Sequence, residues 1–136
     1  MDERLTSSWW ALRIGLGAAA FLAGLDKFFS LLANWTDYLN PLALRVVPVD
    51  PGTFMQGVGV VEMIVGLTIL TRWTRLGAYV AGAWLAGIAL SLLAQGAFLD
   101  VAVRDLLLAV AAFVLARLTE LRQSERTART ERIVPA

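Results

Sequence analysis

The stretch VGVVEMIVGL, residues 58–67, places one carboxylate, Glu62, in the middle of an apolar run. Extended over about residues 54–71, this run is long enough to cross a bilayer as a helix, at about 1.5 Å per residue. Glu62 then lies about 12 Å from the start of the helix, near the middle of the hydrocarbon. A charge at that depth costs at least a few kcal/mol unless it is paired, hydrated or protonated. The sequence therefore predicts either a partner for Glu62 on another helix or a site around it.

The composition indicates a polytopic membrane protein. Of 136 residues, 58% are hydrophobic and 17% are charged, and the mean hydropathy is +0.67, whereas soluble domains carry roughly 25% charged residues. The length suits one bundle of helices rather than two domains. The net charge of +1 gives no electrostatic reason to expect a nucleic-acid partner.

The chain contains no cysteine and no histidine. This excludes thiolate and imidazole metal sites, His-ligated haem and cysteine-held iron–sulfur clusters on this chain, so no metal ligands are assigned. It also excludes thiol redox catalysis and nucleophile pairs that need histidine. A redox centre used by this protein would be a diffusible small molecule or would lie on a partner.

Long apolar segments predict an all-α fold, a bundle of four transmembrane helices. The predicted spans cover about residues 9–32, 54–71, 76–99 and 102–118. A polar N-terminus, residues 1–8, precedes them and lacks the basic region of a signal peptide, so no cleavage is expected. A charged tail, residues 119–136, follows as a solvated helix that frays, or as a segment weakly attracted to anionic lipid headgroups.

The distribution of basic residues predicts the orientation, because short cytoplasmic flanks carry the excess of Lys and Arg. On one side of the predicted membrane lie Arg4, Arg72, Arg75 and the arginines from Arg117 onward. The two opposite connections hold Arg45, with Arg104 just inside the last span. Both termini are therefore expected in the cytoplasm, and the loop between the first two spans outside.

Small residues recur at helical spacing in the first, third and fourth spans, and in the fourth they share a face with Asp105. In the first span, Gly17, Ala20 and Gly24 lie in one narrow arc between Arg13 and Lys27. The third span has two such rows, Ala78, Gly82 and Ala86 beside Ala83, Gly87 and Ser91. Such rows let a neighbouring helix approach closely.

In this topology, acids and bases from three spans lie at one level in the outer half of the membrane. The predicted buried polar cluster contains Asp26, Lys27, Glu62, Arg104 and Asp105. Asp26 lies opposite the small-residue arc and can turn outward or towards a neighbour, and Arg104 lies about 100° from Asp105, so that these two can address different helices. The cluster is read either as ion pairs that fix helix register or as a polar pocket for a small headgroup.

The same residues resemble the DoxX family of small four-helix membrane proteins. The resemblance covers about residues 11–118, and its motifs are Arg13-x-x-x-Gly17 with Phe21-x-x-Gly24-x-x-Lys27, Gly59-x-x-Glu62-x-x-x-Gly66, and Arg104-Asp105-Leu106. It implies a four-helix bundle with cytoplasmic termini in the inner membrane of a bacterium or archaeon. The family name comes from membrane subunits linked to quinone-dependent oxidation, so quinone is the cofactor that the resemblance suggests.

Three hypotheses of function follow, and no enzymatic activity is assigned. The first is a subunit of a quinone-linked redox complex, in which the cluster binds a quinone headgroup or relays protons and the ring site is lined by Phe21, Phe28, Phe54 and Trp84. The second is a structural or assembly subunit that docks by helix packing against other subunits or another copy. The third is a carrier of a small solute. Membrane lipids are expected partners in each case.

Overall fold

The computed structural model describes residues 2–133, and this part of the chain is built of helices with no β-strand. Its α-helices are α1 (Glu3–Asp26), α2 (Pro41–Val46), α3 (Pro51–Leu70), α4 (Thr74–Gln95) and α5 (Leu99–Ile133), with a 3₁₀ turn at Trp35–Tyr38. Helices α1, α3 and α4 are each long and apolar enough to cross a membrane. The predicted all-helical class is confirmed, whereas the fourth span and the cytoplasmic termini stay predictions.

Helix α1 begins and ends earlier than the predicted first span of about residues 9–32. Its end is set by Asp26, whose carboxylate accepts hydrogen bonds from the backbone N–H groups of Leu31, at 3.0 Å, and Leu32, at 2.8 Å. Ser30, with φ of 54°, adopts the left-handed conformation that reverses the chain. Leu31 and Leu32 therefore lie outside the helix, where both are exposed.

The other helix ends also follow local signals. Asp50 caps α3 by accepting hydrogen bonds from two N–H groups, and Pro51 occupies the first helical position. Gly96, with φ of 68°, ends α4 before the predicted limit at residue 99. Helix α5 runs through the predicted limit at residue 118, so the predicted tail is helical as far as Ile133. Residues 134–136 lie outside the described part.

The long helices pack mainly in two antiparallel pairs, α1 with α3 and α4 with α5. Smaller contacts join α3 to α4 and α1 to α5. All four meet at the end of the bundle nearest the N-terminus, where Trp9, Ile69, Ala78 and Leu115 belong to one buried cluster. We call this the inner end, and the end nearest the α1–α2 connection the outer end.

The contact between α1 and α3 is made by glycine backbones, as the small-residue arc predicts. A Cβ atom at Gly66 would lie 2.7 Å from the carbonyl oxygen of Gly17, and one at Gly59 would lie 2.5 Å from that of Gly24. Real Cβ atoms essentially never approach other heavy atoms so closely. Only glycine therefore permits this spacing, which sets the antiparallel register of the two helices.

The two small-residue rows of α4 have different surroundings. Gly82, in the first row, faces α5, where its Cβ would lie 3.5 Å from the carbonyl oxygen of Ala109. Ala83 and Gly87, in the second row, are exposed, and a Cβ at Gly87 would meet no atom within 4 Å. The expectation that both rows contact a helix is thus corrected for the second row within this chain.

Candidate functional site

Lys27, the residue that follows α1, forms an ion pair with Glu62 in the middle of α3. Lys27 Nζ lies 2.5 Å from Glu62 Oε2, and the two side chains are 5% and 13% exposed. Each residue follows a glycine of the α1–α3 contact by three positions, Gly24 for Lys27 and Gly59 for Glu62. Because positions three apart share a helix face, the glycine contact brings the two charges together. The predicted partner of Glu62 on another helix is therefore found.

Trp35 covers this pair from the connection that follows α1. Lys27 Nζ lies 3.9 Å from the centre of the Trp35 ring, within the range of a cation–π interaction. The indole Nε1 of Trp35 donates a hydrogen bond of 2.9 Å to Asp26. The pair is thus shielded on one side by an aromatic ring whose position is fixed by a neighbouring carboxylate.

Asp26 is buried, and its carboxylate accepts hydrogen bonds from backbone N–H groups rather than pairing with Lys27. Its oxygens accept hydrogen bonds from Leu31, Leu32 and Trp35. The prediction that it turns outward or towards a neighbouring helix is corrected, because the chain itself folds back over its carboxylate. Asp26 therefore holds the shape of the outer connection.

Arg104 and Asp105 pair with each other rather than with two different helices. Arg104 Nη2 and Nε donate hydrogen bonds of 3.1 and 3.3 Å to Asp105 Oδ1. Asp105 lies on the buried face of α5 with a side chain that is 5% exposed, whereas that of Arg104 is 61% exposed. The long arginine side chain can fold back onto its neighbour, and the 100° separation of their Cα–Cβ directions does not prevent this.

The predicted cluster is therefore resolved into separate units. Among residues 2–133, no described hydrogen bond or ion pair joins Lys27 or Glu62 to Arg104 or Asp105. Each cation neutralises one carboxylate in its own pair. In the same part of the chain, no group of three or more metal-ligating side chains could hold a metal ion.

The four aromatic residues predicted to line a ring site do not form one cluster. No described ring contact within residues 2–133 joins any two of Phe21, Phe28, Phe54 and Trp84. Phe28 is 42% exposed, and the backbone of Phe21 lies against Gly66. Trp84 is distinctive because its buried Nε1 has no hydrogen-bond partner.

A second polar region, at the inner end, surrounds Trp9 and lies outside the polar cluster predicted from sequence. Trp9 Nε1 donates a hydrogen bond of 2.9 Å to Thr119 of α5. The guanidinium groups of Arg13 and Arg122 lie 5.0 and 4.1 Å from the centre of the Trp9 ring. The sequence itself shows a tryptophan pair one turn before an arginine. The contacts of Trp9 with Thr119 and Arg122 of α5 depend on the tertiary structure and cannot be read from it.

Arg13 also satisfies the C-terminus of α3. It donates hydrogen bonds to the carbonyl oxygens of Ile69, at 3.1 Å, Leu70, at 2.7 Å, and Thr71, at 2.8 Å. The last carbonyls of a helix lack partners within it and carry partial negative charge. Arg13 therefore caps α3 from a different helix and holds the inner end of the α1–α3 pair.

Glu120 joins α4 to α5 on another side of the inner end. Its carboxylate accepts hydrogen bonds from Tyr79 at 2.6 Å, Arg75 at 3.0 Å and Arg117 at 2.9 Å. The Tyr79 hydrogen bond, followed by the charges of Arg117 and Arg75, holds the pKa of Glu120 below its ordinary value, although burial acts in the opposite direction. The ionised form is therefore favoured in the folded protein.

We expect Glu120→Gln to lower the melting temperature at neutral pH and to lose this effect in acid. A carboxylate whose pKa is lower in the folded than in the unfolded state stabilises the fold above the unfolded value, about 4.3, and this contribution disappears as pH falls through the folded value. Melting curves in detergent between neutral pH and acid pH measure it. Glu131→Gln, which removes an exposed carboxylate from the same helix, is the control. Equal melting temperatures for Glu120→Gln and wild type at neutral pH would show that the contact contributes nothing.

The site thus consists of a buried ion pair between the end of α1 and the middle of α3, and of a tryptophan–arginine region at the inner end. Comparison of the chain with models of protein families, with curated proteins and with solved structures finds no significant match, so the resemblance to the DoxX family stays a prediction.

Proposed function

We propose that this chain is a structural or assembly subunit of a membrane complex, in which its charged residues hold its own helices in register. The observation that carries the proposal is that Lys27 and Glu62 are paired and buried, with side chains only 5% and 13% exposed. In this pair each charge is held by the other, and the contact fixes α1 against α3. Losing one partner would leave an uncompensated charge.

The exposed face of α4 supports docking by helix packing. Ala83 and Gly87 lie four residues apart on this face, and the position of a Cβ at Gly87 is open. In membranes, helices associate through van der Waals contact and close approach at small residues, because lipid tails are as apolar as leucine. A second membrane helix could therefore approach α4 closely at this row.

The test is Gly87→Leu, assayed in native membranes on a blue-native gel with an activity stain. We expect the larger complex to become less abundant, while turnover per remaining complex stays at the wild-type value. The matched control is Gly57→Leu on α3, where a Cβ also meets no atom within 4 Å. Equal complex abundance in the two variants, or migration of the wild-type chain alone, would contradict the proposal.

A quinone-linked subunit is the second candidate, and Trp84 is the observation that favours it. Its buried Nε1 is a hydrogen-bond donor without a partner, and a buried unsatisfied donor costs about 1–3 kcal/mol. Trp84 shares a face of α4 with Gly77 and Ala81, of which Gly77 lies against α3. A carbonyl oxygen of a ligand, such as a quinone, would satisfy this donor.

The same gel separates the two candidates. Trp84→Phe keeps the aromatic ring and removes the donor, so under the quinone proposal it lowers turnover per complex without lowering abundance. Under the assembly proposal it changes neither quantity, and Gly87→Leu changes only abundance. Purified wild-type protein that carries no quinone would count against the second candidate.

A further inference from the structure

A basic cleft opens at the inner end between α1, the α3–α4 turn and α5. It has a volume of about 280 Å³. Four arginines and two tryptophans line it, namely Trp9, Trp10, Arg13, Arg72, Arg122 and Arg126. Within residues 2–133, the rest of its lining is made of threonine and glutamine side chains, with no carboxylate among them. We propose that this cleft, which lies apart from the Lys27–Glu62 pair, binds the phosphate group of an anionic lipid headgroup or of a soluble phosphate compound.

The cleft is lined by four cations, and the carbonyl oxygens at the end of α3 offset part of the charge of Arg13. Among residues 2–133, none of the described ion pairs includes Arg13, Arg72, Arg122 or Arg126. Glu120, a carboxylate at the same end, is instead held by Arg75 and Arg117. Four cations around one concave surface repel one another, and a bound anion relieves that repulsion.

Two of the arginines are held in position before any ligand arrives. Arg13 is fixed by three carbonyl oxygens at the end of α3. Arg122 lies 4.1 Å from the centre of the Trp9 ring, and Trp9 is itself fixed by its hydrogen bond to Thr119. The carbonyl oxygens occupy the Nε–H and Nη2–H groups of Arg13, which leaves its charge and its Nη1–H donors for a phosphate. The guanidinium group of Arg122 is positioned by its ring contact, and planar N–H donors of this kind match two phosphate oxygens at once.

The position of the cleft on the molecule fits a phosphate at the membrane surface. Tryptophan side chains favour the level of the lipid headgroups, and Trp10 is 42% exposed beside the cleft. Arg126 lies beyond the predicted spans, on the charged part of α5, and is exposed. The cleft can therefore be reached from the headgroup layer and from the adjacent aqueous side.

The test compares two double variants of the purified full-length chain. Arg122→Gln with Arg126→Gln removes two cations from the cleft, and Arg129→Gln with Arg132→Gln removes two from the same helix outside it. The proteins are placed in phosphatidylcholine nanodiscs with and without phosphatidylglycerol, and retained lipid is counted by native mass spectrometry. In lipid-free detergent, the change of melting temperature with inorganic phosphate is measured. Arg126→Gln alone is a further variant, because no described hydrogen bond among residues 2–133 uses the side chain of Arg126.

We expect the wild type to retain phosphatidylglycerol in preference to phosphatidylcholine. The cleft variant should lose this retention by about 30-fold, the effect of two arginines at an anionic surface, and the control variant should keep it. Stabilisation by inorganic phosphate without lipid would identify a soluble phosphate compound as the ligand, and retention of phosphatidylglycerol alone would identify the headgroup. Equal loss in both double variants, or no response of the wild type to either probe, would overturn the proposal.

Discussion

Replacing Gly59 by alanine is expected to lower the free energy of unfolding by about 1–3 kcal/mol, the usual cost of overpacking a close contact. The added methyl group would lie 2.5 Å from the carbonyl oxygen of Gly24 and 3.1 Å from Cβ of Lys27. Since the first of these atoms belongs to the backbone, no change of side-chain rotamer can relieve the clash. Helices α1 and α3 would have to separate, which would also lengthen the Lys27–Glu62 contact.

The control for this prediction is Gly57→Ala on the same helix. A Cβ at Gly57 meets no atom within 4 Å, and alanine in a helix is favoured over glycine by up to about 1 kcal/mol. This control should therefore be as stable as the wild type or slightly more stable. Unfolding of the purified proteins in mild detergent, followed by circular dichroism, measures both. If Gly59→Ala and Gly57→Ala have the same free energy of unfolding, α1 and α3 do not meet at Gly24 and Gly59.

The contact between α1 and α3 could be predicted because its glycines and charged residues recur at helical spacing in the sequence. Gly17, Gly24 and Lys27 recur at helical spacing along the first predicted span, and Gly59 and Glu62 share one face of the second, which is α3. An apolar run with one carboxylate needs a cation nearby, and Lys27 was one of the basic residues predicted at the right depth. Periodicity and the cost of a buried charge are properties of the sequence itself.

The arrangement of Asp26 and Arg104 could not be derived in the same way. Both were assigned from their direction on a helix, but Asp26 is satisfied by the chain that follows it and Arg104 by its neighbour Asp105. Where a polar side chain can reach a partner close in sequence, helical direction alone does not decide its contacts. The helix limit at Asp26, which the turn at Ser30 enforces, depends on the same local hydrogen bonds.

The basic cleft was not predicted because its parts are far apart in the chain. Trp9 and Arg13 meet Arg122 only when α1 packs beside α5, and Arg72 joins them from the turn between α3 and α4. The sequence indicated a basic inner side from its count of arginines. Which arginines share one concave surface depends on the register of the helices, and no local pattern specifies that register.

Removing either partner of the Lys27–Glu62 pair is expected to lower the free energy of unfolding by about 3–5 kcal/mol, because the other charge then stays buried without compensation. In Glu62→Leu, Lys27 would keep only its contact with the ring of Trp35, 3.9 Å away. A cation–π interaction contributes about 2 kcal/mol when desolvated, which offsets part of the loss. In the reverse variant, Lys27→Leu, Glu62 has no aromatic ring within residues 2–133 that could offset the loss in this way. We therefore expect Lys27→Leu to be the less stable of the two variants.

The double variant, Lys27→Leu with Glu62→Leu, should be more stable than either single variant, because apolar replacement of a whole buried pair is often neutral or stabilising. A double-mutant cycle from unfolding curves in detergent gives the coupling between the two positions. Arg75→Leu is the control, since its pair with Glu120 has an arginine side chain that is 56% exposed and such pairs contribute about 1 kcal/mol or less. Additive losses at Lys27 and Glu62 would show that their proximity does not stabilise the bundle, and the proposed role of the pair in holding α1 against α3 would fail with it.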